Sequence, residues 1–405
     1  VHVMIRLLFV IFMLASGYSY GQFINSSFET GNTVLVKEQI DLIKGKQVGI
    51  ITNRTGVDKN GKHIIDLLVE AGIDVAKIYT PEHGFSADDS YTASGVTIPV
   101  VSLYGNKYSF SKSDVEGIDV IVFDIQELGA RFYTFTSTLY LTMQDAKKFG
   151  KDYIVCDRPS VANINTSEGF SLDEDFSSFV GKIPTPVMTG LTVGELGNYL
   201  NSEYVLNDNF RVIKMKGYDR NTKYETVMGS WINPSPSITS IESARIYPAL
   251  CFLEGTNISE GRGTETPFQV FGAPFIDSEK LIDKLNSYGL EGVSFEMAEF
   301  IPNQSLLPSY TAMKYAGTKC YGLKITITDV FKFKPFKTSV AILITLNNTF
   351  PEFKWTGKNF IDKLAGTDKV RKMVNAGNTL DEIIEASWIE ARSFMKTARL
   401  YILYY

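Results

Sequence analysis

Carboxylate side chains occur in two places where they could support acid–base chemistry. The run Pro81-Glu82-His83-Gly84 follows a strand-like segment, and residues 253–268 (LEGTNISEGRGTETPF) hold three glutamates and one arginine between two apolar runs. Glycosidic bond hydrolysis commonly uses two carboxyl groups, one as acid and one as nucleophile or base. Glu82 is the strongest candidate for one of them, because the nearby glycine lets the backbone approach a ligand closely. The candidates for the second are Glu127, Glu254 and Glu260.

Polar residues also follow each of four strand-like runs. In open parallel sheets, ligands bind outside the carboxyl ends of the strands, so these residues are expected at one rim. Arg131 and Arg262 are suited to holding an anionic substituent through paired hydrogen bonds. For an isolated charged residue, an ion pair within the protein is the commoner role. The further candidates for substrate binding are Asn53, Arg54, His83, Tyr133, Asp157, Arg158, Asn257 and Glu260.

The elements that must position these residues alternate between strand and helix. Short apolar runs such as QVGIITN and IDVIVFDI read as buried strands, and runs such as KHIIDLLVEAG have helical spacing. This alternation predicts βαβ units and a parallel, Rossmann-like sheet. The second half looks mixed and predicts a smaller α+β domain. The run VAILITL is compatible with a strand or a buried helix. The predicted division is 1–21 leader, 22–239 catalytic domain and 240–405 auxiliary domain.

Composition excludes several classes of function. The chain has 405 residues and a net charge of −5, which disfavours a nucleic acid or anionic membrane partner. Three cysteines lie in apolar, strand-like surroundings, and three buried free thiols are the simplest expectation, although one disulfide is possible. Neither a G-x-G-x-x-G loop, a P-loop nor a G-x-S-x-G motif occurs, and no metal-ligand spacing is present. We therefore expect no cofactor and no metal.

The N-terminus resembles an export signal. Arg6 precedes a short apolar run, followed by small and polar residues around position 20. The apolar run is too short to span a bilayer as a helix, so stable membrane insertion is not expected. The sequence therefore predicts an exported protein, periplasmic or secreted.

Several runs resemble the exo-β-N-acetylmuramidase family of cell-wall recycling. They include GIITNRTGVDKNG, PEHGF, DVIVFDIQELGARFYTFTSTL, VCDRP, PSPS and YPALCFLEGTNISEGRGTETPFQVFGAP, in family order along essentially the whole mature chain. The resemblance implies a Rossmann-like domain, an auxiliary domain and an active site in the cleft between them. It also implies release of N-acetylmuramic acid from the non-reducing end of glycan fragments. Glu82 matches the family's catalytic carboxylate. The lactyl carboxylate of that sugar is a partner for Arg131, Arg158 or Arg262.

The chain departs from the family pattern at several points. After Glu82-His83-Gly84 the chain reads FSADD, where the family usually has an Arg-Gly pair, and it reads DRPSV where the family often has DRPNP. Glu127 occupies a position where Asp is more usual, and Thr189 occupies a position where a histidine is expected. These departures give weight to a second hypothesis, a non-catalytic or divergent binder of cell-wall sugars. A nucleotide-linked enzyme is a third, disfavoured by the missing phosphate loop. Side chains that could stack on a sugar are Tyr104, Tyr133 and Trp231.

Overall fold

The computed structural model describes residues 25, 27–85, 90–163, 165–204, 206–308 and 313–405. The predicted leader at 1–21 lies outside these residues. The strands are β1 (Gln47–Thr52), β2 (Asp74–Thr80), β3 (Ser90–Ala93), β4 (Val96–Ser102), β5 (Val120–Asp124), β6 (Asp152–Cys156), β7 (Glu168–Ser171), β8 (Pro186–Met188), β9 (Phe210–Ile213), β10 (Val270–Ala273), β11 (Val293–Phe300) and β12 (Cys320–Ile327). The α-helices are α1 (Gly31–Glu38), α2 (Ile64–Glu70), α3 (Phe135–Lys148), α4 (Val193–Tyr204), α5 (Ile241–Leu250), α6 (Ser278–Asn286), α7 (Pro335–Thr349), α8 (Phe360–Ala365), α9 (Lys369–Asn375) and α10 (Leu380–Ala398).

A seven-stranded sheet forms the first half, with strand order β3-β4-β2-β1-β5-β6-β9. All neighbouring strands are parallel except β3 and β4. The interior strand β5 is buried along its whole length, as expected for a parallel sheet covered on both faces. The predicted α/β class with a parallel sheet is therefore confirmed. The carboxyl ends of β2, β1, β5 and β6 meet at one rim, with Thr52 level with Asp124.

The second half contains a three-stranded antiparallel sheet of order β10-β12-β11, flanked by helices. The run VAILITL lies in the helix α7, so of the two alternatives the helix is correct. Pro335 is the first residue of this helix, where its missing N–H costs no hydrogen bond. Residues Val340 to Leu346 are all buried, which explains why apolar periodicity alone could not distinguish this helix from a strand.

The two halves share one continuous hydrophobic core. The Phe132 ring packs edge-on against the rings of Tyr247 and Phe252, each with a centroid distance of 5.5 Å. Arg131 is buried, and its guanidinium donates to the carbonyl oxygens of Leu364 and Ala365 at 3.3 and 2.6 Å. These contacts join the rim of the large sheet to the C-terminal helices and hold both halves at one cleft.

Cys156, Cys251 and Cys320 are buried and free, as expected. Within the described ranges, no helix is long and apolar enough to cross a membrane.

The buried position of His63 predicts that stability depends on pH. It precedes α2, where its Nδ1 accepts the Ile65 N–H at 3.3 Å while its Nε2 lies 2.9 Å from the Asn53 carbonyl oxygen. Burial lowers the pKa of His63 below its usual 6.5. A depressed histidine pKa means that the folded state binds fewer protons than the unfolded state, so stability is retained above about pH 6.5 and is lost as the pH falls.

We expect His63→Asn to reduce this acid sensitivity. Asn keeps an oxygen acceptor for the helix N-terminus but does not titrate. The melting temperature of the wild type should fall more than that of the variant between pH 7.5 and pH 5.5. Parallel pH profiles would assign the acid sensitivity to other groups.

Candidate active site

A cleft of about 650 Å³, including its open mouth, lies where the sheet rim meets the 253–268 loop. Five of the residues predicted from sequence line it: Glu82, His83, Tyr133, Glu254 and Arg262. The other lining residues are Phe132, Thr134, Val180, Ser235, Pro236, Ser237, Ile238, Tyr247 and Phe268. The cleft therefore combines two carboxyl groups, one guanidinium and several aromatic rings, which suits a ligand with both polar groups and apolar faces.

Glu82 sits on a tight turn directly after β2. The Gly84 N–H donates to the Pro81 carbonyl oxygen at 3.1 Å, and His83 has a φ of +58°, in the left-handed region. A non-glycine residue in this region stores backbone strain, which is concentrated at functional sites. A Cβ on Gly84 would lie 2.4 Å from the Thr80 side chain, so glycine is required by the close packing of this turn. The turn projects Glu82 into the cleft.

Neighbouring groups orient the Glu82 carboxyl. The Thr134 hydroxyl, just before α3, donates to Glu82 Oε2 at 2.7 Å. His83 Nε2 lies 3.8 Å from Glu82 Oε1. Burial lowers the pKa of His83, against the opposing effect of Glu82, and Arg262 and Arg54 lower it further. At neutral pH the imidazole is therefore mainly neutral, and within the described part of the chain no lysine or arginine forms an ion pair with Glu82.

Glu254 differs from Glu82 because it is held in an ion pair. Arg262 Nη2 lies 2.8 Å from Glu254 Oε1, and Arg262 Nη1 lies 3.3 Å from Glu260 Oε1. The guanidinium also stacks over the Phe268 ring, 4.9 Å from its centroid. Burial opposes the charged form of Arg262, but Glu254 and Glu260 outweigh this and raise its pKa. The two carboxyl groups of the cleft therefore stand in different electrostatic environments.

Glu260 is buried and does not line the cleft, and its contacts stabilise the 253–268 loop. Lys314 Nζ lies 2.9 Å from its Oε2 and also donates to the carbonyl oxygens of Leu253 and Ile258. Burial opposes ionisation, but Lys314 and then Arg262 more than compensate and lower the pKa of Glu260. These bonds close the 253–268 loop on itself and fix the position of Arg262.

Three other predicted residues are buried in structural contacts below the rim. The Arg131 guanidinium donates to the carbonyl oxygens of Phe170, Thr185, Leu364 and Ala365. Arg158 forms a paired contact with Asp124, with Nε and Nη2 each 2.6 Å from a carboxylate oxygen. Asp157 accepts from Thr192, the Gly194 N–H and Tyr404. Burial raises the pKa of Asp157 to about 6. None of the three lines the cleft.

The two predicted asparagines, Asn53 and Asn257, also form hydrogen bonds with backbone groups. The Asn53 side chain accepts from both the N–H and the hydroxyl of Thr55, which closes the turn after β1. Asn257 donates to the Glu352 carbonyl oxygen and accepts from the Lys354 N–H, each at 2.8 Å. Arg54 is exposed at the rim, near enough to His83 to affect the pKa of that residue.

Glu127 is buried outside the cleft. Its Oε2 accepts from the Gly129 N–H, and its Oε1 has no hydrogen-bond partner in the described part of the chain. Burial raises its pKa to about 8. Glu127 and Thr189, both departures from the family pattern, line one small cavity that also includes Arg131. At neutral pH, Glu127 is therefore mostly a neutral acid.

We expect Glu127→Gln to make the free energy of unfolding less dependent on pH. The pKa of Glu127 rises from an ordinary value near 4.5 to about 8 on folding, so its contribution to stability is present below pH 4.5 and is lost as the pH rises through 8. The free energy of unfolding of the wild type, measured in urea, should fall by roughly 3–4 kcal/mol relative to that of the variant between pH 5 and pH 9, at about 1.4 kcal/mol per pKa unit. Equal losses in both proteins would show that Glu127 titrates normally.

Sequence reasoning missed several residues of the cleft. Thr134 and the rings of Tyr247 and Phe268 carried no individual signal, because apolar and hydroxyl residues of this kind usually belong to the core. Ser235, Pro236 and Ser237 were indicated by the PSPS run, which matched the family without an assigned role. Of the three proposed stacking residues, Tyr133 lines the cleft. Trp231 instead packs on Tyr224, and Tyr104 lies in an aromatic group at the rim.

Comparison with known proteins agrees with this architecture. Residues 48–242 match the sequence profile described as exo-β-N-acetylmuramidase NamZ, N-terminal, and residues 245–404 match the corresponding C-terminal profile. The chain belongs to the exo-β-N-acetylmuramidase family. A relative from Bacillus subtilis (strain 168), peptidoglycan β-N-acetylmuramidase NamZ, is 36% identical over 93% of this chain and 91% of its own length. Family membership favours the catalytic hypothesis over the binding protein.

Two solved structures from Bacteroides fragilis NCTC 9343, both described as DUF1343 family proteins, share the fold. The first aligns with a TM-score of 0.85 at 31% identity, and the second with 0.74 at 27% identity. Each comparison covers 94% of this chain and 99% of the other. The predicted two-part α/β architecture is thus shared with both solved structures.

Proposed function

We propose that this protein is an exo-acting glycoside hydrolase that releases N-acetylmuramic acid from the non-reducing end of peptidoglycan-derived glycan fragments. The observation that carries the proposal is the presence of Glu82 and Glu254 in one cleft, in a chain of the exo-β-N-acetylmuramidase family. Two carboxyl groups beside one ligand site are what glycosidic hydrolysis requires.

The two glutamates have different roles in this proposal. Glu82 protonates the leaving-group oxygen, because its carboxyl projects from the rim and is oriented by Thr134 rather than held by a cation. Glu254, held in the charged pair with Arg262, acts as the second carboxylate. As the glycosidic C–O bond breaks, it either bonds to the anomeric carbon and is later displaced by water, or takes a proton from the water that attacks that carbon. A negative charge placed near the developing oxocarbenium ion stabilises the transition state more than the ground state.

The remaining lining residues position the sugar. Tyr133, Tyr247 and Phe268 provide the aromatic walls, and burial raises the pKa of both tyrosines, so they stay neutral. Arg262 is the guanidinium of the three predicted candidates that lines the cleft, and it would attract the lactyl carboxylate of N-acetylmuramic acid. Arg131 and Arg158 are engaged in contacts below the rim.

The test compares two chromogenic substrates, a β-N-acetylmuramide and the matching β-N-acetylglucosaminide. Purified protein is expected to release the chromophore from the muramide and not from the glucosaminide, which lacks the lactyl carboxylate. A second incubation with peptide-free muramyl disaccharide should yield free N-acetylmuramic acid, measured by chromatography. Binding of the disaccharide without release of either product would instead support the sugar-binding alternative.

We also propose that the protein acts outside the cytoplasm, on the evidence of the charged and apolar N-terminal run. Fusion of residues 1–40 to an alkaline phosphatase that is active only after export should give phosphatase activity. Replacing two apolar residues of the run by Asp should abolish it. Activity that is unchanged by this replacement would contradict the proposed signal.

A further inference from the structure

Three aromatic side chains form a group at the rim of the large sheet, here called the rim aromatic cluster: Tyr104, Tyr108 and Phe179. The Tyr108 and Phe179 rings lie 4.0 Å apart at an angle of 31°, and Tyr104 lies 5.8 and 6.0 Å from them. Tyr104 is 44% exposed and Tyr108 39% exposed. Grouped aromatic rings that remain accessible to solvent are typical of ligand or partner contacts, because aromatic side chains otherwise bury most of their area.

The register of the sheet places this cluster beside Glu82. Thr80 at the end of β2 is level with Ser102 at the end of β4, and the Leu103 N–H donates to the Thr80 carbonyl oxygen at 2.8 Å. Glu82 and Tyr104 each follow these paired residues by two positions on neighbouring parallel strands. The cluster therefore stands one strand away from the proposed acid, on the same rim.

The third ring connects the cluster to the cleft itself. Phe179 precedes Val180, which lines the cleft together with Glu82 and His83. Both residues lie in the long 159–188 loop, which also contains the β7–β8 hairpin. The rim aromatic cluster is thus joined through the chain to a residue of the cleft wall.

The loop that carries the two tyrosines is held by a partly buried hydrogen-bond network around Asp114. Asp114 accepts from the Ser111 N–H and hydroxyl at 2.7 and 2.6 Å and pairs with Lys107 at 2.7 Å. The Tyr79 hydroxyl donates to the Asp114 carbonyl oxygen at 2.7 Å. Because the loop is already ordered, little conformational freedom is lost when a ligand stacks on its rings.

We propose that the rim aromatic cluster is a binding subsite for the sugar ring on the reducing-end side of the cleaved bond. This inference rests on the proposed function. An exo-acting enzyme holds the terminal sugar in its cleft, so the rest of the glycan must leave through the mouth, past Val180 and on to the cluster. Pyranose rings present C–H groups that carry partial positive charge, and these pack against the negative faces of aromatic rings.

The test compares two substrates that differ in this second ring. Methyl β-N-acetylmuramide has no second sugar, and the disaccharide N-acetylmuramyl-β-1,4-N-acetylglucosamine has one. In Tyr108→Ala and Phe179→Ala, the ratio of kcat/KM for the disaccharide to kcat/KM for the methyl glycoside is expected to fall about tenfold, consistent with the loss of one stacking contact. Tyr108→Phe keeps the ring and is expected to keep the ratio.

The matched control is Tyr321→Ala, which removes a ring that is 36% exposed but does not line the cleft. Its substrate ratio is expected to equal that of the wild type. Unchanged ratios in both cluster variants would overturn the subsite. Equal losses on both substrates would overturn it as well, because they would place the rings at the terminal sugar.

A binding measurement separates this inference from the proposed function. Calorimetric titration of the disaccharide into Glu82→Gln protein requires no turnover. Adding Tyr108→Ala to this variant is expected to raise the Kd for the disaccharide about tenfold and to leave the Kd for the methyl glycoside unchanged. If the wild type releases no N-acetylmuramic acid, the proposed function fails, while this titration still decides the subsite. An unchanged disaccharide Kd would overturn the subsite alone.

Discussion

Glu82→Gln is expected to lower kcat on a β-N-acetylmuramide by about a thousandfold, within the range attributed to a general acid or base. The amide cannot deliver a proton to the leaving group. Its oxygen can still accept the Thr134 hydrogen bond, and the side chain has nearly the same volume. The melting temperature and the affinity for a muramyl ligand should therefore stay close to those of the wild type, as measured by calorimetry.

The matched control for this prediction is Glu265→Gln. Glu265 is an exposed glutamate of the 253–268 loop that does not line the cleft, so its charge should be dispensable. If Glu82→Gln retained more than a tenth of the wild-type kcat, the acid would have to be another group of the cleft, and Glu254→Gln would be the next variant to measure.

Arg158→Met is expected to lower the free energy of unfolding by about 3–5 kcal/mol, the usual consequence of removing one partner from a buried ion pair. Arg158 and Asp124 have side chains that are 1% and 0% exposed. The variant leaves the Asp124 carboxylate without its cation, and the Asn32 amide, which donates to Asp124 at 2.9 Å, compensates only in part. Urea unfolding provides the measurement.

A double variant tests whether the loss comes from the unpaired charge. Asp124→Leu combined with Arg158→Met removes both charges and should recover part of the stability, so the two losses should not add. Arg399→Met, at an exposed position near the C-terminus, should change stability little. If Arg158→Met kept wild-type stability and lost affinity for the muramyl ligand, the sequence-based prediction of a substrate-binding Arg158 would be correct.

Much of the fold follows from local patterns. The apolar runs and their helical or strand spacing predicted the parallel sheet, because periodicity of burial is a property of neighbouring residues. The position of Glu82 also followed, since a residue just past a strand end must lie at the carboxyl edge of the sheet. The capping pattern at Thr379 and Glu382 likewise marks the start of α10, where both reciprocal hydrogen bonds are present.

The role of each charged residue depended on distant partners. Arg131 and Arg262 looked equivalent in sequence, yet Arg131 is bound by carbonyl groups as far as 234 positions away, while Arg262 reaches the cleft. Glu127, Glu254 and Glu260 were equal candidates for the second carboxyl group, and of the three only Glu254 lines the cleft with Glu82. Local spacing determines which face of an element a side chain takes. Whether that side chain meets solvent, a ligand or a buried counter-charge depends on long-range packing, which short-range spacing does not specify.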